Sequence, residues 1–160
     1  MRQRLTSREH SPVRQYGFSS CSPRSTYRSF LNDPDINKSF NDLEFGVGTI
    51  VIGEAPMQTL KGTIGGSGWS LVLKGARQYG DPMHARFQGV GIVNGEKWVY
   101  DYEGYLVSQW PNGVDQIPAI IGSVVRTIPH SGSQPGTISP AGVVCSFYAV
   151  FAGPAAVGPE

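Results

Sequence analysis

A charged residue stands inside an apolar stretch of this sequence. Arg126 lies within the run 119–128, where most neighbours are Ile, Val or Ala. A buried guanidinium keeps its charge and therefore needs an anion or hydrogen-bond acceptors. Three roles are open for it: an anchor for a ligand carboxylate, an ion pair with Asp101 or Glu103, or a place at the rim of the fold. His130 follows closely, at the start of the next loop, and is a candidate to act with Arg126.

A second group of polar residues alternates along one predicted strand. His84, Arg86 and Gln88 are two residues apart, so they share one face. At a barrel mouth, His84 would act as acid or base and Arg86 would hold a carboxylate or an enolate. The alternative, a solvated hairpin face, is the more common arrangement and is the one we favour.

Two carboxylates occupy the next strand. Asp101 and Glu103 share a face with Lys97 and are ~7 Å apart along the strand. Such a pair is able to perform acid–base chemistry if its face points inward. A surface ladder paired with Lys97 and Arg86 is favoured instead.

An aromatic row lies on the opposite face of that strand. Trp98, Tyr100 and Tyr102 alternate with the charged residues. They would stack on a planar or polyene ligand, or they would form plain core, in which case the tyrosine hydroxyls need partners. Both interpretations stay open.

Neither a metal site nor a cofactor site is predicted. His84, His130 and Cys145 lack the spacing of metal ligands. Cys145, in an apolar run without an identifiable activating histidine, is expected to be a buried and inert thiol. The glycine cluster 65–68 precedes no helix pattern and no Lys-Ser/Thr pair, so it is not a phosphate loop.

The composition indicates that strands position these residues. Of 160 residues, 16% are charged, and there are 21 glycines and 12 prolines. Low charge with abundant Gly and Pro favours short strands joined by turns over long helices. No apolar run approaches the ~18 residues that span a bilayer. The two cysteines do not suggest a disulfide, so the expected location is intracellular, and cytoplasmic by default.

Apolar, β-branched runs separated by turn residues predict about seven strands. Asn94-Gly95 suits a type I′ turn, so residues 84–109 form the clearest hairpin, and the cluster 65–68 marks another. A loop is expected over 131–140. The predicted strands are 45–52, 59–64, 69–73, 84–93, 97–109, 119–128 and 143–151.

The strands predict a closed barrel that associates. Several carry apolar residues on both faces, so the outer face is expected to form a homo-oligomer interface. Glycines within strands allow sharp bends or close backbone approach, which favours a barrel over a flat sandwich. These glycines are Gly46, Gly48, Gly62, Gly89, Gly91, Gly104 and Gly122. The fold class predicted is all-β: a small antiparallel β-barrel of about seven to eight strands, spanning 42–153.

The two ends of the chain are expected to lie outside this domain. Residues 1–41 carry six arginines, many serines and a single acid before Asn32, with no hydrophobic period. Such a segment is typical of a disordered basic extension or a non-native start. An organelle transit peptide and an arginine-rich arm for nucleic acid are the alternatives. Residues 154–160 form a small-residue tail.

Three stretches carry a resemblance to a known kind of barrel. They are G-T-I-G-G-S-G-W, R-F-Q-G-V-G-I-V-N-G-E-K-W-V-Y-D-Y-E-G-Y-L and P-A-G-V-V-C-S-F-Y-A-V. Over roughly 43–152 the chain resembles the small antiparallel barrels of the calycin and allene-oxide-cyclase or dirigent-like type. The resemblance rests on the pattern of glycines and aromatic residues and transfers no catalytic residue. It implies a lumen that holds an apolar ligand or shapes a reactive polyene or phenol.

The sequence therefore predicts a binder of a small, mostly apolar molecule. Its expected ligand contacts are Trp98, Tyr100, Tyr102, Arg86 and Arg126. An isomerase or cyclase version would use His84, Arg126 or His130 as catalytic groups. The alternative is a structural or assembly protein whose two-sided strands make interfaces and whose basic arm binds nucleic acid.

Overall fold

The computed structural model describes residues 22–107, 114, 116–132 and 134–154. In it the chain folds into a closed barrel of eight antiparallel strands. Strands β2 to β7 follow one another around the barrel. Strand β10 then pairs with β7, and β1 closes the ring between β10 and β2. The predicted all-β antiparallel barrel is confirmed. The strands are β1 (Pro23–Leu31), β2 (Glu44–Ile52), β3 (Thr59–Gly66), β4 (Trp69–Gln78), β5 (His84–Val93), β6 (Glu96–Val107), β7 (Ala119–Arg126), β8 (His130–Ser131), β9 (Ile138–Ser139) and β10 (Val144–Pro154).

The predicted hairpin turns lie where the glycines indicated. Asn94 and Gly95 both have positive φ, 51° and 83°, as a type I′ turn requires. They join β5 to β6, and β5 pairs with β6 over the whole length of β5. Gly68, with φ 79°, turns β3 into β4. The short loop between 131 and 140 is not wholly irregular, because β8 and β9 pair within it.

The barrel begins earlier than the sequence predicted. The start at residue 42 is wrong, because Pro23–Leu31 forms β1 and pairs on both edges. A barrel strand needs an inward side chain only at every second position, and Tyr27 and Ser29 are buried there while Arg28 pairs with Glu44 outside. The predictions for residues 1–21 and 155–160 lie outside the described residues.

Inward side chains fill the middle of the barrel. An eight-stranded barrel has an interior just wide enough for side chains or one small ligand. Here large apolar residues close its centre and leave space towards each end. The core comprises Tyr27, Ile50, Leu60, Ile64, Leu71, Leu73, Ala85, Phe87, Val93, Tyr100, Tyr102, Val124, Cys145, Phe147 and Ala149.

Close backbone approach explains the strand glycines. A Cβ placed on Gly122 would lie 2.0 Å from the carbonyl oxygen of Glu103 on β6. A Cβ on Gly62 would lie 2.2 Å from the carbonyl oxygen of Val51 on β2. Neither strand pair has room for a side chain at these positions, as the barrel interpretation predicted.

The outer face keeps several exposed apolar side chains. Such a face is able to associate with a second chain, so the predicted homo-oligomer stays a prediction. These side chains include Val47, Val72, Ile92, Tyr105, Val107 and Ile121.

Candidate functional site

Two neighbouring cavities that share part of their lining lie at one end of the barrel. A mouth cavity of about 530 Å³ opens between β2, β6, β7 and the β8–β9 loop. A lumen cavity of about 230 Å³ continues inward from it. Three aromatic residues, Phe45, Trp98 and Tyr100, line both of them. Trp98 and Tyr100 therefore lie at the boundary between the two cavities.

Tyr100 links two polar side chains at this junction. It is 6% exposed, and its Oη lies 2.8 Å from His130 Nε2 and 3.4 Å from Arg126 Nε. His130 Nδ1 lies 2.8 Å from the carbonyl oxygen of Ser131, which only accepts hydrogen bonds, so Nδ1 carries a proton. In the neutral ring Nε2 is then the acceptor. Arg126 Nε therefore donates to Tyr100 Oη, and the Tyr100 hydroxyl donates to His130 Nε2.

The β8 strand and its neighbours hold His130 in place. Its ring stacks on Trp98, with centroids 4.1 Å apart and planes 14° from parallel. Glu96 accepts hydrogen bonds from Ser131 N at 2.7 Å and from Ser131 Oγ at 2.6 Å. These bonds lower the pKa of the Glu96 carboxyl, so the carboxylate is the form that fixes the loop.

Arg126 brings positive charge to the wall of the mouth. It is 7% exposed and lies beside Tyr100 in the register of β6 and β7. Its Nη1 donates to the carbonyl oxygen of Pro140 at 3.0 Å, and its guanidinium lies 5.0 Å from the ring centre of Phe45. The ion pairs found among the described residues leave Arg126 without a carboxylate. Two neutral oxygens and an aromatic face leave an anion-binding capacity unfilled.

The lumen beyond Tyr100 is aromatic with a few hydroxyls. Tyr102 stacks on Phe87 at 4.9 Å and meets Tyr27 edge-on at 6.3 Å. Burial raises the pKa of Tyr27, Tyr100 and Tyr102, so all three stay protonated at neutral pH. Ser29 adds a hydroxyl, which donates to the carbonyl oxygen of Gly46. The aromatic row predicted on β6 thus serves as both core and cavity wall.

Cys145 matches the expectation of an inert thiol. It is fully buried, and burial raises its pKa to about 11. The thiolate is therefore scarce at neutral pH, and no nucleophilic role follows.

The structure places two predicted site residues outside the barrel. The grouping of Arg86 with the lumen aromatics is wrong, because Arg86 alternates with the inward Ala85 and Phe87 and is exposed. His84 is on the same outer face, where it pairs with Glu103 at 3.1 Å and stacks on Tyr105. The favoured interpretation of this strand, a solvated hairpin face, is correct.

The carboxylates of β6 also face outward. Asp101 accepts a hydrogen bond from Gln88 at 2.8 Å, and Glu103 pairs with His84. An ion pair between either carboxylate and Arg126 is therefore wrong, because they lie on opposite faces of the barrel wall. A surface ladder exists, but its partners are Gln88 and His84 and not the predicted Lys97 and Arg86.

Some site residues escaped the sequence interpretation. Phe45 and Glu96 lie near the starts of β2 and β6, and the sequence indicated no role for either. Glu96 acts only through the loop that it fixes. Tyr27 and Ser29 were assigned to the segment outside the fold. Their alternation with Arg28 was the available signal for a strand.

Comparison with protein-family models, with curated proteins and with solved structures found no match to this chain. Within the described part of the chain, no group of three or more His, Cys, Asp or Glu side chains is placed to hold a metal ion. The same residues contain no helix that could cross a membrane.

Proposed function

We propose that this protein binds a small, mostly apolar molecule that has an anionic or carbonyl-bearing end. The apolar part lies among the lumen aromatics, and the polar end meets Arg126 and Tyr100. The observation that carries the proposal is Arg126 itself: a buried guanidinium on the wall of the mouth cavity, with no carboxylate partner among the described residues.

The size and lining of the cavities support this function. Ligand pockets typically measure ~300–1,000 Å³ and combine apolar walls with a few convergent polar groups. The mouth cavity has a volume of about 530 Å³ and the lumen cavity a volume of about 230 Å³. Trp98 and Phe45 supply flat apolar surface beside the Arg126 guanidinium, as a ring with a charged substituent requires.

A fluorescent anion provides the test. The probe is 1-anilinonaphthalene-8-sulfonate, which joins aromatic rings to a sulfonate and is titrated into the full chain. We expect saturable binding of one molecule per chain. Arg126→Gln should weaken it about tenfold or more, because a charge-assisted hydrogen bond is lost. The matched control Arg86→Gln removes an exposed guanidinium and should leave the affinity within about twofold.

Near-ultraviolet circular dichroism must show that each variant keeps its tertiary structure, because partly folded chains also bind this dye. Equal dye affinity in folded Arg126→Gln and Arg86→Gln variants would refute the proposed site.

The hydrogen bond between Tyr100 and His130 favours a second candidate, an isomerase or cyclase. His130 Nε2 accepts a proton through the Tyr100 hydroxyl, and the same pair returns one. Moving a double bond into conjugation with a carbonyl group requires that one carbon lose a proton and that another carbon of the same molecule gain one. Arg126 would hold the negative charge on the enolate oxygen meanwhile.

This candidate is tested with cyclohex-3-enone, whose conjugated isomer absorbs ultraviolet light strongly. The protein should accelerate conversion to cyclohex-2-enone, and His130→Gln should abolish the acceleration. His84→Gln, the matched change on the outer face, should retain it. Acceleration that is absent, or equal in the two variants, would leave binding alone as the function.

A further inference from the structure

A separate cavity lies at the opposite end of the barrel. It has about 190 Å³, and we call it the far cavity. On β4, Trp69 and Leu71 line the lumen cavity, Leu73 is completely buried, and Arg77 lines the far cavity. The packed centre of the barrel thus separates the two spaces. Apolar side chains dominate the far cavity, among them Ile52, Leu60, Ala85, Leu106, Ile120 and Ala149.

Arg77 is the charged residue of this apolar wall. Its backbone N–H donates to the carbonyl oxygen of Gln58, which fixes the end of β4. Its Nε is enclosed and has no hydrogen-bond partner among the described residues. Leaving a buried donor of a charged group unpaired is costly, because the group has given up water without replacement.

Arg77 has no ion-pair partner in the part of the chain that the structure describes. The adjoining outer surface presents Gln58, Gln78, His84 and Arg86, and the carboxylate nearby, Glu103, is paired with His84. The Arg77 guanidinium, with an unpaired donor at the edge of an apolar cavity, is complementary to a carboxylate on an apolar body.

We propose that the far cavity binds a small monocarboxylate, with its carboxylate on Arg77 and its apolar body between β4, β6 and β7. The volume limits the ligand, since an apolar cavity of ~150 Å³ accommodates one benzene molecule. A body of about six carbons therefore fits. This site is independent of the mouth and lumen cavities, so the barrel has two ligand sites, one at each end.

The experiment follows backbone amide signals of the ¹⁵N-labelled full chain during titration with sodium hexanoate, and separately with hexan-1-ol. Hexanoate should shift the signals of Ala85, Leu106 and Ile120 saturably and more tightly than hexanol does. Arg77→Gln should weaken hexanoate about tenfold or more and change hexanol little. Arg86→Gln, on the neighbouring strand, is the matched control and should bind hexanoate as the wild type does.

Leu106→Phe provides a second variant, which leaves Arg77 in place and fills the cavity. It should lose hexanoate binding while it keeps dye binding at the mouth. The assignment would be overturned by equal affinity for hexanoate and hexanol, by unchanged hexanoate affinity in folded Arg77→Gln or Leu106→Phe, or by shifts confined to Trp98 and Tyr100. Because the dye reports on the other end, failure here is distinguishable from failure of the proposed function.

Discussion

Removing one hydroxyl at the mouth should destabilise the whole barrel. Tyr100→Phe keeps the ring that lines both cavities and deletes the Oη that joins His130 and Arg126. His130, 9% exposed, then loses the partner of Nε2, and Arg126 loses the acceptor of Nε. Both remain buried polar groups that the folded state must accommodate.

The expected loss follows from these two contacts. An unsatisfied buried polar group costs ~1–3 kcal/mol. The bond to His130, at 2.8 Å, is well formed, whereas the 3.4 Å contact from Arg126 is long and contributes less. Water in the adjoining mouth cavity replaces part of what is lost. We therefore expect the free energy of unfolding to fall by about 1–2 kcal/mol.

Equilibrium unfolding in urea measures this change. With a slope of ~1–3 kcal/mol per molar urea, the midpoint of unfolding should fall by roughly 0.3–2 M. Tyr105→Phe is the matched control, because it deletes a hydroxyl from the same strand on the outer face, where Tyr105 is 48% exposed. That change should stay within about 0.5 kcal/mol.

Equal midpoints for Tyr100→Phe and Tyr105→Phe would refute the hydrogen-bonded bridge. Long-range ¹H–¹⁵N spectra add a second readout in the wild type. They should show His130 with Nδ1 protonated and Nε2 bare in the neutral ring. The opposite tautomer would refute the direction of the bond.

Three other predictions concern the barrel wall. Gly122→Ala should lower the free energy of unfolding by more than about 2 kcal/mol, because its Cβ would meet a carbonyl oxygen of β6 at 2.0 Å. In the same urea assay the control Gly53→Ala, whose nearest contact would be at 3.8 Å, should lower it far less. Burial raises the pKa of Tyr27 and Tyr102, so the folded state holds their protons more tightly than the unfolded chain; stability should be unaffected below about pH 10 and fall as the pH rises above it. Urea midpoints at rising pH check this, and Tyr27→Phe should make the fall shallower; a midpoint independent of alkaline pH would contradict it. Ile121→Lys should reduce the oligomer expected from the apolar outer face, and identical sedimentation coefficients for variant and wild type would exclude an interface at that position.

The pattern of strands and turns was readable from the sequence because local chemistry determines it. Asn94-Gly95 needs no tertiary information to form its turn, and alternation along β6 separated Tyr100 and Tyr102 from Asp101 and Glu103 correctly. Propensity, turn chemistry and pattern agree over this hairpin, which is why its prediction succeeded.

The first strand and the site geometry depended on contacts that are distant along the chain. β1 carries isolated apolar residues and gains its stability by pairing with β10, more than 100 residues away. The sequence identified Arg126 and His130 as candidates to act together. That Tyr100 would join them, and that Glu96 would fix their loop, depended on the register of β6 and β7 and the position of β8. Arg86 lies on the outward face of β5 and therefore does not line the lumen. A periodic pattern alone does not show which of the two faces of a strand points inward.

Intermolecular nuclear Overhauser effects between the labelled protein and bound 1-anilinonaphthalene-8-sulfonate test directly whether the ligand site lies between the mouth and the lumen. We expect contacts from the dye rings to Trp98, Phe45 and Tyr100, at one dye molecule per chain. Contacts confined to outer-face side chains such as Val72 and Ile92 would contradict it.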